Sequence, residues 1–107
     1  MNAGALDRRI TIQRGTITNT SLGVTTAWAD IGTFWASRKD VSDAERAAAG
    51  SVQGTVVSRF VVRWSADTAG IKPADRLVEG GLTFEVRGIK EVGRRRYIEI
   101  TAEARLD

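Results

Sequence analysis

The sequence predicts a small, mainly β protein, an antiparallel β-barrel of about six strands with a long insertion that carries one short α-helix. Several short segments alternate polar and apolar residues, glycine-rich turns separate them, and only one stretch favours a helix. Short strands with regular turns between them are typical of closed or nearly closed antiparallel barrels. The chain has 107 residues and no internal repeat or linker, so we expect a single domain, residues 1–107, with one compact core.

The first strand is predicted at residues 8–14, where alternating isoleucines share one face and polar side chains share the other. The β-branched residues 16–20 are expected to continue this strand beyond a kink at Gly15. A polar, glycine-containing turn at residues 19–23 then reverses the chain.

The second strand is predicted at residues 27–38, with a bulge at Gly32. Large aromatic residues in so small a chain are usually core or interface anchors. We therefore place Trp35 and Trp64 in the core. The pattern leaves Trp28 open between a buried position, an interface anchor and a platform for stacking nucleic-acid bases.

Residues 40–54 form the predicted insertion. Its helix begins with a capping box between Ser42 and Glu45, and Gly50 can end it. A two-turn helix with little apolar bulk is not stable alone, so it needs a surface of its own barrel or of another subunit. The candidate residues for an inter-subunit or lumen-facing contact are Ser42, Asp43, Glu45, Arg46 and Gly50.

The second half of the chain is predicted to contain four strands joined by short turns. They span residues 55–65, 76–78, 82–87 and 97–104. The tightest turn contains Gly80 and Gly81, which supply the positive φ angles of a short hairpin. A turn at residues 72–75 and a second hairpin at residues 91–94 complete the predicted barrel.

The composition argues against an enzyme. The chain contains no cysteine and no histidine, which excludes a thiol nucleophile, a Cys/His zinc site and histidine acid–base catalysis. Glu99 and Glu103 share an outward strand face, a pattern more typical of a solvated surface than of a catalytic pair. We predict no catalytic, cofactor-binding or metal-binding residues, no cofactor and no small-molecule substrate. No apolar run approaches the roughly 20 residues that span a bilayer, so no membrane partner is expected.

Two sets of exposed residues are candidates for contacts with partners. The net charge is only +3, which is weak evidence for nucleic-acid binding by the whole domain. The run Arg94, Arg95 and Arg96 is nevertheless a candidate contact with DNA phosphates or with an acidic partner, although a solvated hairpin flank gives the same pattern. The candidate interface face consists of Arg59, Arg63 and Trp28.

Several segments taken together resemble a known family. The chain begins with the motif LDRRI at residues 6–10, has the pair WA at residues 35–36, and continues into the helical insertion. A G-I…D-R segment at residues 70–76 then precedes the motif FEVRGI at residues 84–89. This arrangement resembles the head–tail joining proteins of tailed bacteriophages, also called head-closure, stopper or adaptor proteins. Gene transfer agents use equivalent parts.

The resemblance implies a structural virion protein. Members of this family look like β-barrel subunits that form a ring at the head–tail connector, or neck, where they join the portal complex to the tail and hold packaged DNA. The implied partners are portal or adaptor ring proteins, tail proteins, further copies of the chain, and the double-stranded DNA that passes through the channel. The expected location is the virion neck, reached from the host cytoplasm during assembly. The alternatives are a tail-terminator or tail-completion protein and an OB-like nucleic-acid-binding module.

Overall fold

The computed structural model describes residues 5–41 and 54–106, and these contain six antiparallel strands and one short helix. The strands are β1 (Arg8–Thr20), β2 (Gly23–Asp40), β3 (Thr55–Arg63), β4 (Arg76–Glu79), β5 (Leu82–Val92) and β6 (Tyr97–Arg105). The helix α1 (Ala66–Ala69) lies between β3 and β4. The helix predicted within residues 42–50 falls outside the described residues.

The strands close into a barrel in the order β1-β2-β3-β6-β5-β4, which confirms the predicted fold class. Closure is made by β1 and β4, which pair over only three residues, Thr11–Gln13 against Arg76–Val78. The other pairs of neighbouring strands are longer, and β3 pairs with β6 over nine residues. The predicted turn at Gly80 and Gly81 is confirmed, since both residues have positive φ, at 60° and 79°.

The core is built from the inward-facing residues of all six strands. Phe60 on β3 and Phe84 on β5 are fully buried at its centre, with ring centroids 5.1 Å apart in an edge-to-face arrangement. Alternate residues on each strand complete this cluster, which includes Ile10, Ile12, Ala36, Val62, Leu77, Ile98 and Ile100. Buried residues therefore recur at every second position of a strand, as the alternation of apolar and polar residues in the sequence predicts.

The helix α1 was not predicted, and it shortens the strand expected at residues 55–65. Ser65 caps the helix by accepting a hydrogen bond from the Thr68 backbone N–H, while the Ser65 N–H donates to Thr68 Oγ1. This is a capping box in which threonine replaces the usual glutamate. Thr68 Oγ1 also donates to the Arg63 carbonyl at 2.8 Å, so the helix is fixed to the end of β3.

The prediction that Trp35 lies in the core is wrong. Trp35 is 53% exposed because its neighbour Ala36 takes the inward position, and alternation then directs Trp35 outward. The Arg9 guanidinium lies 4.7 Å from the ring centroid of Trp35, on the adjacent strand. Trp64 is partly buried and packs against the core, as predicted.

Both β1 and β2 extend well beyond the barrel. They pair with each other from Arg8 opposite Ala36 to Thr20 opposite Gly23, with one irregularity at Ile12/Gln13, where Ile31 is the extra residue on β2. The bulge is therefore adjacent to the predicted position at Gly32, whereas the pairing continues unbroken through Gly15. We refer to the projecting hairpin, residues 14–29, as the arm.

Candidate functional site

The arm is a two-stranded ribbon with no third strand on either side. On β1 the pairing with β4 stops at Gln13, and on β2 the pairing with β3 covers only Ala36–Asp40. All residues from 16 to 31 are exposed. An isolated two-stranded hairpin is at best marginally stable in water, so an arm of this length is suited to packing against another molecule.

Beyond Arg14 at its base, the arm carries exposed apolar side chains and no charged residue. Residues 15–29 contain no charged residue, in a chain of which 27% is charged. Ile17 and Val24 are each 68% exposed, and Leu22 at the turn is 98% exposed. Exposed strand edges usually carry charged residues or proline, which prevent unwanted pairing. The arm lacks them, which favours a contact with protein.

At its base, the arm is held by a tryptophan stacked between a glycine and an arginine. Trp28 lies across the ribbon over Gly15, where an added Cβ would come within 2.8 Å of Thr26 Cγ2 and 3.3 Å of the indole ring. On β4, the Arg76 guanidinium lies 4.1 Å from the ring centroid of Trp28. The indole ring of Trp28 therefore connects the arm to the barrel.

A chain of hydrogen bonds continues from the same arginine. Arg76 Nε donates to Gln13 Oε1 at 2.7 Å, and Gln13 Nε2 donates to Asp30 Oδ1 at 2.8 Å. These bonds cross from β4 to β1 to β2 at the level where the arm leaves the barrel. They fix the direction in which the arm projects.

A second clamp holds the arm through an ion pair. Arg14 binds Asp75 in a bidentate fashion, with both nitrogen–oxygen distances at 2.9 Å, and also donates to the Gly70 carbonyl. The Lys72 backbone N–H donates to the same carboxylate at 2.8 Å. Burial by itself raises the pKa of Asp75, but the hydrogen bonds from Arg14 and Lys72 outweigh it and hold the pKa below its usual value.

Near the arm base, an open groove of about 480 Å³ lies where β3 ends and β2 continues, beside α1. Its apolar lining includes the exposed ring of Trp35, and Arg9 and Arg63 flank it. Neither arginine forms an ion pair within the described part of the chain. The residues that line the groove are Leu6, Arg9, Thr33, Phe34, Trp35, Val62, Arg63, Ser65 and Thr68.

The three residues of the predicted interface face lie in different surroundings. Arg63 flanks the groove, while Arg59 lies beside Lys90 and Glu99 on the outer face of the barrel. Trp28 lies at the arm base. The structure therefore brings Arg63, but neither of the other two, to the groove.

The three consecutive arginines occupy the exposed turn between β5 and β6. Arg95 has a positive φ of 54°, and its guanidinium lies 5.2 Å from the ring centroid of Trp64. Over residues 5–41 and 54–106, no ion pair involves Arg94, Arg95 or Arg96. Glu99 and Glu103 instead pair across strands with Lys90 and Arg87, which supports a solvated surface face for them.

The predicted site residues Ser42, Asp43, Glu45, Arg46 and Gly50 fall outside the described residues. The strand end that precedes them is firmly held. Asp40 Oδ1 accepts hydrogen bonds from Ser58 Oγ at 2.6 Å and from Arg38 Nε at 2.9 Å, and the Ser58 bond is the main reason that its pKa lies below the usual value. Arg38 also binds the buried Glu79 at 2.6 Å.

The described residues include no group of three or more potential metal ligands. Among the described helices, none is long and apolar enough to cross a membrane.

A family model described as "Phage head completion protein" matches residues 1–105. The chain belongs to the phage head completion protein family. The resemblance found in the sequence is thereby confirmed, and with it a structural role in head completion.

Two solved structures share the fold. The solution structure of protein SF1141 from Shigella flexneri 2a is 29% identical, with a TM-score of 0.72, and the match covers 97% of this chain and 96% of that one. A chain from the virion of a native gene transfer agent particle is 23% identical, with a TM-score of 0.70, and 94% of each chain is covered. No curated protein matches.

The sequence reasoning missed the two most conspicuous surfaces of this head completion protein, the arm tip and the groove. The arm had a signal in the charge-free run of residues 15–29, which is unusual for an exposed hairpin. The groove had none, because it forms only where strands distant in the sequence come together.

Replacing Arg76 with alanine is expected to loosen the arm of this head completion protein without unfolding its barrel. The variant loses the stacking on Trp28 and the bond to Gln13, together about 1 kcal/mol, so amide hydrogen exchange in residues 16–29 should accelerate roughly fivefold. Lys90→Ala is the control, because Lys90 pairs with Glu99 between β5 and β6, strands that adjoin neither strand of the arm. Equal rates of amide hydrogen exchange in the two variants would contradict the role of Arg76 in holding the arm.

Proposed function

We propose that this head completion protein forms a ring at the head–tail connector, where it joins the portal complex to the tail and helps to retain packaged DNA. The single observation that carries the proposal beyond family membership is the arm. A closed barrel with a hairpin that is clamped at its base and apolar and uncharged beyond Arg14 has a rigid body and a separate element suited to reach a neighbour. The proposed location is the virion neck, with assembly in the host cytoplasm.

The ring follows from the kind of interface that an arm makes. The arm of one subunit and the surface that receives it are different patches, so the contact is heterologous. Heterologous contacts close into rings when the rotation between neighbours divides a full turn. The proposed partners are therefore further copies of this chain within the ring, and portal or adaptor ring proteins and tail proteins above and below it.

Two further elements suit the retention of DNA. The exposed run Arg94, Arg95 and Arg96 carries three guanidinium groups with no carboxylate partner within the described residues, so they are available for DNA phosphates or for an acidic partner. The insertion at residues 40–54 follows the end of β2 in the sequence, where Ser58 and Arg38 hold Asp40 in place. We propose that the insertion contacts a neighbouring subunit or the lumen.

The alternatives differ in where the barrel would act. A tail-terminator or tail-completion protein would use the same arm at another position on the particle. An OB-like nucleic-acid-binding module needs open aromatic faces beside a basic surface. Trp28 and Trp64 instead have arginine side chains stacked on them, which does not favour base stacking.

The proposal is tested by electron microscopy of particles produced without the gene for this chain. We expect heads that have lost their DNA, or remain filled but untailed, beside free tails of normal length. Restoring the wild-type gene should restore joined particles. Tails of abnormal length on normal heads would instead support the tail-terminator alternative, and intact infectious particles would refute both.

A further inference from the structure

We propose that the arm tip of each copy docks into the groove of the next copy around the ring. This inference rests on the proposed ring and names the contact that builds it. The arm tip consists of Ile17, Leu22 and Val24, and the apolar lining of the groove consists of Leu6, Phe34, Trp35 and Val62. The occupant of the groove is thus a second copy of this chain.

Both surfaces leave apolar area in water. Leu22 is almost fully exposed at the turn of the arm, and Trp35 is about half exposed on the groove wall. The groove volume of about 480 Å³ is within the roughly 300–1,000 Å³ typical of small-molecule pockets, so it can hold several side chains of a hairpin turn. Contact between the two surfaces would bury both, which is the main driving force of association.

The polar groups of the two surfaces also match. Arg9 and Arg63 flank the groove as donors, and no carboxylate pairs with them among the residues that the structure describes. The arm tip has no positive charge to repel them, because Arg14, the one charged residue of the arm, lies at its base. Its open edges present backbone carbonyl groups, and the tip adds the hydroxyl group of Ser21, all of which can accept hydrogen bonds.

Addition of the arm as a strand to a neighbouring barrel is the main alternative to groove docking. β5 pairs with β4 only at residues 82–85, so residues 86–92 of β5 have a neighbouring strand on one side only, and the arm itself is likewise unpaired at its flanks. The groove differs from these edges because its lining is apolar and matches the apolar arm tip. Docking through side chains uses the groove and leaves every barrel closed.

The length of the arm suits a neighbour and excludes its own groove. Residues 14–20 of β1 extend about 23 Å at the rise of about 3.3 Å per strand residue, comparable with the two shorter dimensions of the molecule, 34 and 23 Å. Leu22, in the turn just before β2, and Trp35 on β2 lie thirteen residues apart, roughly 43 Å of extended chain. The tip therefore cannot fold back onto its own groove without breaking β2.

Cysteine cross-linking in assembled particles tests the contact, and the chain has no native cysteine to interfere. We would supply the double variant Leu22→Cys/Thr33→Cys to cells that lack the wild-type copy, purify the particles and oxidise them. Thr33 is exposed and lines the groove. The expected result is a ladder of disulfide-linked dimers, trimers and larger species on a denaturing, non-reducing gel.

The controls use one cysteine or a distant one. Leu22→Cys alone, Thr33→Cys alone, and Leu22→Cys paired with Lys90→Cys on the opposite side of the barrel should stay monomeric. Dimers of Leu22→Cys alone would show arm–arm contact and overturn the inference. The inference would also be overturned if no disulfide ladder formed in particles in which glutaraldehyde cross-links the copies of this chain into a ring. If the wild-type chain is missing from the particles altogether, the proposed function fails rather than the arm contact.

Discussion

Leu22→Lys is expected to reduce the number of joined head–tail particles roughly 100-fold, because a lysine at the arm tip would enter an apolar groove flanked by Arg9 and Arg63. The unfavourable burial and like-charge repulsion would cost about 3 kcal/mol per contact, and each 1.4 kcal/mol is a factor of ten in affinity. The barrel should keep its full stability, since Leu22 is 98% exposed in the single chain. Joined particles are counted in electron micrographs, and the melting temperature of the isolated protein is measured in parallel.

Two further substitutions at the same position make this prediction specific to the groove. Leu22→Met preserves apolar size and should join normally. Leu22→Asp should be intermediate, because the carboxylate is costly to bury but meets two arginines that compensate in part. A reversed order, with aspartate worse than lysine, would show that the tip meets an acidic surface and not this groove.

Asp75→Ala is expected to cause the largest loss of stability among single changes at the arm base. It removes both bonds from Arg14 and the bond from the Lys72 N–H, at a residue that is only 3% exposed. We expect the free energy of unfolding to fall by about 2–4 kcal/mol; the 40% exposure of the Arg14 side chain keeps the loss below that of a fully buried pair. Urea denaturation measures it, with Glu85→Ala as the control, because that carboxylate pairs with Arg87 at the surface and should matter by less than about 1 kcal/mol.

The stability lost in Asp75→Ala is expected to depend on pH. The pKa of Asp75 is lower in the folded protein than in the unfolded chain, so its contribution to stability is complete above the unfolded pKa of about 3.9. That contribution is lost as the pH falls through the lower folded pKa. The difference in unfolding free energy between wild type and Asp75→Ala should therefore be constant near neutral pH and shrink below about pH 4. A difference that grows on acidification would contradict the assigned ion pair.

Most of the barrel could be predicted from local patterns. Alternation at Ile10 and Ile12 and at residues 97–104 identified strands, and the glycine pair 80–81 identified a hairpin. These signals are local because inward and outward positions alternate along a strand whatever the rest of the fold does. The family resemblance rested on short motifs such as those at residues 6–10 and 84–89, and the match over residues 1–105 confirms it.

The features that escaped prediction depend on contacts between distant residues. Trp35 was placed in the core because of its size, whereas its direction depends on Ala36 taking the inward position. The helix α1 was hidden because Thr68 completes the capping box in place of glutamate. The direction of the arm depends on Arg76 and Asp75, which come from a part of the chain roughly sixty residues away from Gln13 and Arg14.

The three-residue pairing of β1 with β4 has a mechanical consequence. Side-chain contacts supplement the short backbone pairing between these two strands: Arg76 binds Gln13, Arg14 binds Asp75, and Arg8 binds Glu79. The arm begins at the end of this pairing. A force applied to the arm therefore acts first on the shortest strand pairing of the barrel, where ion pairs weaken as the salt concentration rises. Tension from a neighbouring molecule and the ionic strength of the solution therefore act on the same contacts, those between β1 and β4.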